Sequence, residues 1–447
     1  MKVIVVGAGQ VGTYIARTLA AEGHDVVLIE ESPAIAEQAE ASIDAMVMVG
    51  SGTSLATLRA AGGDEVGMVV AVTDSDEANI IACLSARELA VEAPPRTIAR
   101  VRSGDYYPDD ASSAEGTLGI DFMIHPDRVT ADDLSEALLV PGAVNVEHFA
   151  DGQLSVAEIV AQENSPLVGS KLGPRRVTED YLVAAVGHGG TPAVAMSSTE
   201  VKHGDRVFIA ARRRQLRSTI ASLAGTVETV RHAIVLGGTS IGLQLAKRLR
   251  RRGINVKLVE RDAQRAERIA AMLDDVLVLH DDGMSQDFMR QEGVEDVHAF
   301  IACSDDDAAN LLAALNAKKL GAHMTLTVTH RSEFLPLVDA MEVDAAVSPR
   351  LHTAAAILRF VRKGRVVRLR QFESGAELIE LEAAPGSRIA GRSLNQCDWP
   401  QGGVVAGISR DGKVTFPHGD TVIEPGDHVV VFTLARYISR VERLFSE

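Results

Sequence analysis

The 447-residue chain carries 45 Lys and Arg against 61 Asp and Glu, a net charge of −16, with 46% hydrophobic and 24% charged residues. That length calls for several cores rather than one, the apolar content excludes a disordered chain, and the acidity argues against general attraction to nucleic acid or anionic lipid. Cys83, Cys303 and Cys397 are odd in number and form no CxxC pair, which indicates neither a disulfide framework nor a zinc site and fits a reducing compartment.

In chain order, short runs rich in valine and isoleucine come first: VIVV, DVVLIE, AMVMV, MVVAV and TIARV, all before residue 102. Between them lie helical stretches such as VGTYIARTLAAEG, with Val11, Ile15 and Leu19 on one stripe. Continuous apolar strands alternating with helices predict a parallel sheet covered on both faces, an α/β fold. The start lacks the apolar core and cleavage site of a signal peptide, and no apolar run approaches a bilayer span. A protein that stays inside the cell is expected.

GAGQVG at residues 7–12 follows the first strand and opens the first helix. Gly7 permits the tight turn, Gly9 lets backbone approach a pyrophosphate, and Gly12 lets helix and strand pack closely. The helix N-terminus then presents amides and the positive end of its dipole to phosphate. Glu30 ends the second strand, where its carboxylate can hold ribose hydroxyls and repel a 2′-phosphate, so NAD(H) or another adenine nucleotide is favoured over NADP(H). Thr73, Asp74 and Ser75 sit past the fourth strand at the ligand-binding edge of the sheet, with helix capping as their other reading. Arg100 and Arg102 end the fifth strand; Arg100 is the phosphate candidate and Arg102 reads more as a solvated surface group.

The chain is then written a second time. Gly7, Gly12 and Glu30 recur 230 residues on as Gly237, Gly242 and Glu260, and VTDSDEAN (72–79) recurs as CSDDDAAN (303–310). The second turn, GGTSIG, has Thr239 where close phosphate approach calls for glycine; Gly238 is expected to compensate in part, and Val328 stands where Arg100 would fall. The second pocket therefore reads as weaker or differently occupied. A shorter β-rich α+β unit follows each copy, with Gly169 and Gly204 recurring 222 residues on as Gly391 and Gly426. The resulting units are two Rossmann-like parallel-sheet domains at 1–139 and 231–362, each followed by a small α+β domain, at 146–224 and 366–447. Linkers are expected near 140–145, 225–231 and 362–366, where glycine or proline interrupts the pattern.

An enzyme would need a positioned acid or base in its partner domain. The charged residues of the small units read as unmatched, with His188 aligning near Gly407 and His203 near Pro425, and no nucleophile elbow, HExxH or P-loop is present. A regulator is favoured; a NAD-dependent oxidoreductase with duplicated Rossmann domains, or a scaffold that binds no nucleotide, are the alternatives. The basic runs ARRRQLR (211–217) and KRLRRR (247–252) read as solvated helix faces, or else as contacts for an acidic partner.

GAGQVG, Glu30, VTDSDEANIIAC, IARVRSGDY and the large-small-large-small order together resemble the TrkA family, the cytoplasmic regulatory subunits of bacterial Trk potassium uptake systems, built of tandem RCK (KTN) units. The resemblance implies a non-catalytic homotetramer that binds NAD(H) and ATP or ADP and docks peripherally on a TrkH-type membrane potassium channel at the inner face of the membrane. Carried over by motif position, the nucleotide contacts would be Gly7, Ala8, Gly9, Gln10, Val11, Gly12, Glu30, Thr73, Asp74 and Arg100. In the second copy they would be Gly237, Gly238, Thr239, Ser240, Ile241 and Glu260. The family usually reads GGGNIG there, from which Thr239 and Ser240 depart.

Overall fold

The computed structural model describes residues 1–446 apart from 92, 108–110, 141, 151, 189–190, 225–229, 332–333, 336–337, 339–340, 342, 362–365, 372–375 and 401. In the first large unit the strands are β1 (Lys2–Val6), β2 (Asp25–Glu30), β3 (Met46–Val49), β4 (Met68–Ala71), β5 (Arg96–Arg100), β6 (Ser113–Glu115) and β7 (Phe122–Ile124). They form one sheet in the order β3-β2-β1-β4-β5-β7-β6, parallel except for β6. The five runs read from the sequence are β1 to β5; the antiparallel edge β6, only three residues long, carries too little pattern to be seen in advance. The helices are α1 (Gln10–Ala21), α2 (Pro33–Glu40), α3 (Leu55–Ala60), α4 (Asp76–Leu89) and α5 (Pro126–Leu139).

The first small unit is a five-stranded antiparallel sheet of β8 (Ala143–Phe149), β9 (Leu154–Val160), β10 (Tyr181–His188), β11 (Thr191–Val194) and β12 (Arg206–Arg212), followed by α6 (Arg213–Ala224). β8 begins inside the stretch 140–145 expected as a linker: Ala143, Val144 and Val146 are buried, so the chain enters the small sheet within a few residues of leaving α5. The linkers expected at 225–231 and 362–366 fall mostly outside the described residues.

The second large sheet repeats the first: β13 (His232–Leu236), β14 (Asn255–Glu260), β15 (Leu277–His280), β16 (Ala299–Ala302), β17 (Met324–Val328) and β18 (Ala345–Val347), in the order β15-β14-β13-β16-β17-β18. Its helices are α7 (Ser240–Arg251), α8 (Ala263–Met272), α9 (Gln286–Gln291), α10 (Asp307–Leu320) and α11 (Pro349–Val361). The second small unit holds β19 (Val366–Gln371), β20 (Ala376–Glu382), β21 (Arg392–Ser393), β22 (Gly403–Arg410), β23 (Lys413–Thr415), β24 (Val422–Ile423), β25 (His428–Leu434) and α12 (Ile438–Phe445). Its main sheet, β19-β20-β25-β22-β23, has the strand order of the first small sheet.

Buried polar pairs also repeat. Asn79 and Asn310, both fully buried, each donate through Nδ2 to the last carbonyl of the neighbouring strand, Arg100 and Val328. The small units obey the same rule, which corrects the reading that their charges are unmatched: buried Glu158 and Glu380, and buried Asp205 and Asp427, stand 222 residues apart. At that spacing His188 aligns with Arg410, not Gly407. His188 Nδ1 meets Asp205 at 2.7 Å and Arg410 Nε donates to Asp427 at 2.7 Å. These acids are enclosed and paired, a structural role.

The two repeats are locked together by exchange of helices. α5, which ends the first large unit, places Ala131, Leu134 and Leu138 into the core of the second large sheet with Val235, Leu245 and Leu249. α11, which ends the second, places Ala354, Ile357 and Leu358 into the core of the first with Val3, Ile15 and Leu19. The run at 247–252 belongs to this seam: Arg248 bonds Asp132, and Arg252 reaches Glu136 at 3.0 Å, both on α5. For Arg248 and Arg252 the acidic partner is the other repeat. The small sheets also pack face to face, with the rings of Phe208 and Phe432 5.2 Å apart and Gly407 admitting Leu154 where a Cβ would come within 2.7 Å.

Candidate nucleotide-binding site

The carboxyl edges of both large sheets converge on one cavity of about 790 Å³. Gly7, Gly9, Gln10, Val11, Glu30, Thr73, Asp74 and Arg100 all line it; from the second copy, Thr239, Ser240 and Ile241 do. Gly237, Gly238 and Glu260 do not, and Ala8 borders a smaller cavity of about 330 Å³ beside it. Gly12 lines neither, because its task is packing: a Cβ there would fall 1.8 Å from the Gly7 carbonyl oxygen.

Gly9 is different. Its backbone is ordinary (φ −63°, ψ 179°), and a Cβ would meet nothing within 4 Å. The protein's own packing therefore does not demand glycine, and no side chain caps α1. The open space over this helix start is room for an oxygen-rich group to meet the first-turn amides. Glu30 accepts the Ala8 amide at 2.7 Å and the Ser32 amide at 3.0 Å, fixing the turn against the end of β2 while still bordering the cavity.

Arg100 supplies a cation. Its side chain is 9% exposed and donates to the Thr73 carbonyl at 2.8 Å and to Asp74 at 2.7 Å, although Asp74 is 92% exposed. Burial pulls the guanidinium below its ordinary pKa, the neighbouring Arg102 adds to this, and Asp74 opposes it. A desolvated cation whose carboxylate partner lies in water can exchange that partner for phosphate. Thr73 receives its backbone position from Asn79, whose Oδ1 accepts the Thr73 amide at 2.8 Å. Ser75 caps α4 by accepting the Ala78 amide at 3.1 Å, so of the capping reading it is Ser75 that carries it.

The second turn has the same backbone and opposite chemistry. Thr239 caps α7 itself, accepting the Gly242 amide at 3.2 Å and donating to the Cys303 carbonyl at 2.7 Å. Gly238 is the counterpart of Ala8, and a Cβ there would lie 2.4 Å from the end of the Ile269 side chain and 2.8 Å from Glu260 Oε2. Glu260 is 4% exposed, spans the Gly238 and Asp262 amides at 2.8 Å each, and stands 3.6 Å from Arg265.

Sequence reading missed the loop at Gly50–Thr53, and Asp127, His330, Arg350 and Thr353, all of which line the cavity. The loop had a signal. VGSGTS follows a strand, and Gly52 packs so closely that a Cβ would fall 2.1 Å from a Val6 methyl; at Gly283 it would fall 2.4 Å from a Leu236 methyl. Arg350 and Thr353 had none, since they reach the first pocket only through helix exchange.

The TrkA-N domain profile matches residues 3–126 and 233–349, and the TrkA-C domain profile residues 156–224 and 378–446. The chain belongs to the TrkA family. Family relatives include the Trk system potassium uptake protein TrkA of Halomonas elongata, 33% identical with 100% of this chain and 98% of the relative covered, and that of Vibrio alginolyticus, 32% identical with the same coverage. In fold, the chain resembles the GsuK RCK domain (TM-score 0.61, 19% identity, covering 99% of this chain and 94% of that one). It also resembles the GsuK channel bound to NAD (TM-score 0.62, 18% identity, covering 99% and 78%). As a TrkA-family chain it is tied to potassium uptake, and among the described residues no helix is long and apolar enough to cross a membrane.

Proposed function

We propose that this TrkA-family chain is the nucleotide-sensing regulatory subunit of a Trk potassium uptake system, working without catalysis of its own. It binds NAD(H), ATP or ADP in the cavity beside Gly9, assembles as a homotetramer, and acts from the cytoplasmic face on a TrkH-type membrane subunit. In this reading the four units keep the order expected from the sequence, two nucleotide-binding folds each followed by a small sheet domain. The single observation that carries the proposal is the uncapped start of α1, open at Gly9 and flanked by the buried Arg100. That pairing matches what a diphosphate needs: amides, a dipole end and a cation. The NAD-bound GsuK channel, a relative in fold, supports the ligand class.

For gating, ligands must differ in affinity between two arrangements of the assembly, since equal affinity shifts nothing. Arg100 is the residue placed to read phosphate number, through its exchangeable bond to Asp74. Titration calorimetry of the purified chain against ATP, ADP, NAD and NADH tests the reading. Heat with at least one is expected; no heat with any of the four rejects it. Potassium flux with Arg100→Ala should lose its nucleotide dependence.

A further inference from the structure

Helix exchange has an electrostatic consequence. The pseudo-twofold relation places the start of α11 against the α1 turn and the start of α5 near the α7 turn, and all four helix starts border the one cavity. Pro126 of α5 aligns with Pro349 of α11, so Asp127 aligns with Arg350. The first turn thus faces a cation from the other repeat, and the second an anion.

Arg350 bonds the side-chain oxygen of Gln10, the first residue of α1. Among the described residues this neutral amide is its one hydrogen-bond partner. Arg100 is bonded to Asp74, and Arg102 lies 3.9 Å from the same carboxylate. Arg350 is partly buried, with Asp74, Asp307, Arg102 and Arg331 in its field, and burial pulls its pKa below the ordinary value. It stands where the two cavities meet, both of which it lines with Gln10 and His330. A desolvated guanidinium held by an uncharged partner, beside an uncapped helix start, is a donor with its strongest acceptor still to come.

On the reading that the first cavity binds an adenine nucleotide, we propose that Arg350 of the second repeat is a phosphate ligand of the first repeat's site, and that each chain takes one nucleotide. At the twofold-related place Thr239 takes up the Gly242 amide with its own hydroxyl, and Asp127 and Asp305 border the cavity, Asp305 with Arg265 4.0 Å away, so phosphate meets fewer free donors and more negative charge there. Binding then ties α11 to α1 and loads the seam between the repeats.

The test is calorimetry with ADP on the full chain, comparing wild type, Arg350→Gln and Arg350→Lys at low and high salt, with circular dichroism as a check on folding. Wild type should bind close to one ADP per chain. Arg350→Gln should weaken binding by ~10- to 100-fold, the worth of one charge-assisted hydrogen bond, and should flatten the salt dependence, which a merely structural role would not do. Arg350→Lys should recover part of both. An unchanged affinity and salt slope in Arg350→Gln overturns the ligand role, and two ADP per wild-type chain overturns the one-nucleotide stoichiometry. No heat with wild type instead removes the nucleotide reading itself.

Discussion

Thr239 and Gly9 hold the same place in the two phosphate turns, and one does with its own hydroxyl what the other leaves open. Thr239 accepts the Gly242 amide at 3.2 Å, whereas no side chain caps the start of α1. Exchanging them separates stability from binding. Gly9→Thr should fold with a thermal midpoint at or slightly above wild type, since Thr and Gly caps differ by only a few tenths of a kcal/mol. It should lose ADP affinity by ~10-fold or more, the worth of the blocked amide contacts. Paired scanning and titration calorimetry check this; unaltered ADP binding would show that the opening is not a phosphate site.

A substitution in the second turn reports on the cap alone. Thr239→Ala removes both the bond to Gly242 and the donor to the Cys303 carbonyl and should cost about 1 kcal/mol. Urea denaturation with an unchanged slope measures it, and a loss below a few tenths would mean the cap contributes little.

Leu134 is fully buried on α5, yet its neighbours belong to the second large sheet. Leu134→Ala should cost about 2–5 kcal/mol. The informative readout is hydrogen exchange: amides of β13 should lose protection, although the change lies about 100 residues earlier in the chain. Loss confined to β1–β7 would contradict the exchange of helices.

His125 caps α5, accepting the Arg128 amide on Nδ1, and is 3% exposed. Burial pushes its pKa from 6.5 down to about 4, with Asp127 and Asp76 opposing and Arg128 and Arg248 reinforcing. Between those values the unfolded chain takes a proton that the folded chain refuses, so stability falls as pH drops from 6.5 and levels off below 4. The loss cannot exceed about 1.4 kcal/mol per pH unit. His125→Asn keeps a capping oxygen and cannot titrate, so its stability should vary less over this window. Urea midpoints at pH 4, 5, 6 and 7 decide; parallel curves would remove His125 as the cause.

Much of the architecture was legible in the residues because it is local. Continuous apolar runs, a glycine whose φ of +100° or +106° suits few other residues, and a duplication at constant spacing each act within one element or its neighbour. The sequence by itself therefore puts Gly7, Glu30, Thr73, Asp74 and Arg100 at one sheet edge, and they line one cavity. The small units were harder. Their buried acids were masked by a three-residue slip that set His188 against Gly407 instead of Arg410.

What the sequence determined by itself was that two similar folds exist, each with an apolar helix to bury and a turn able to face a phosphate. Only the tertiary structure decided which sheet buries which helix. An amphipathic face specifies that it must be covered, not by what, and burial energy follows the area hidden whichever repeat supplies the cover. That choice carries Arg350 to residue 10 across 340 positions of chain and sets Asp127 near the other turn. The difference between the two turns therefore lies as much in what the neighbouring repeat brings to each as in the turns themselves.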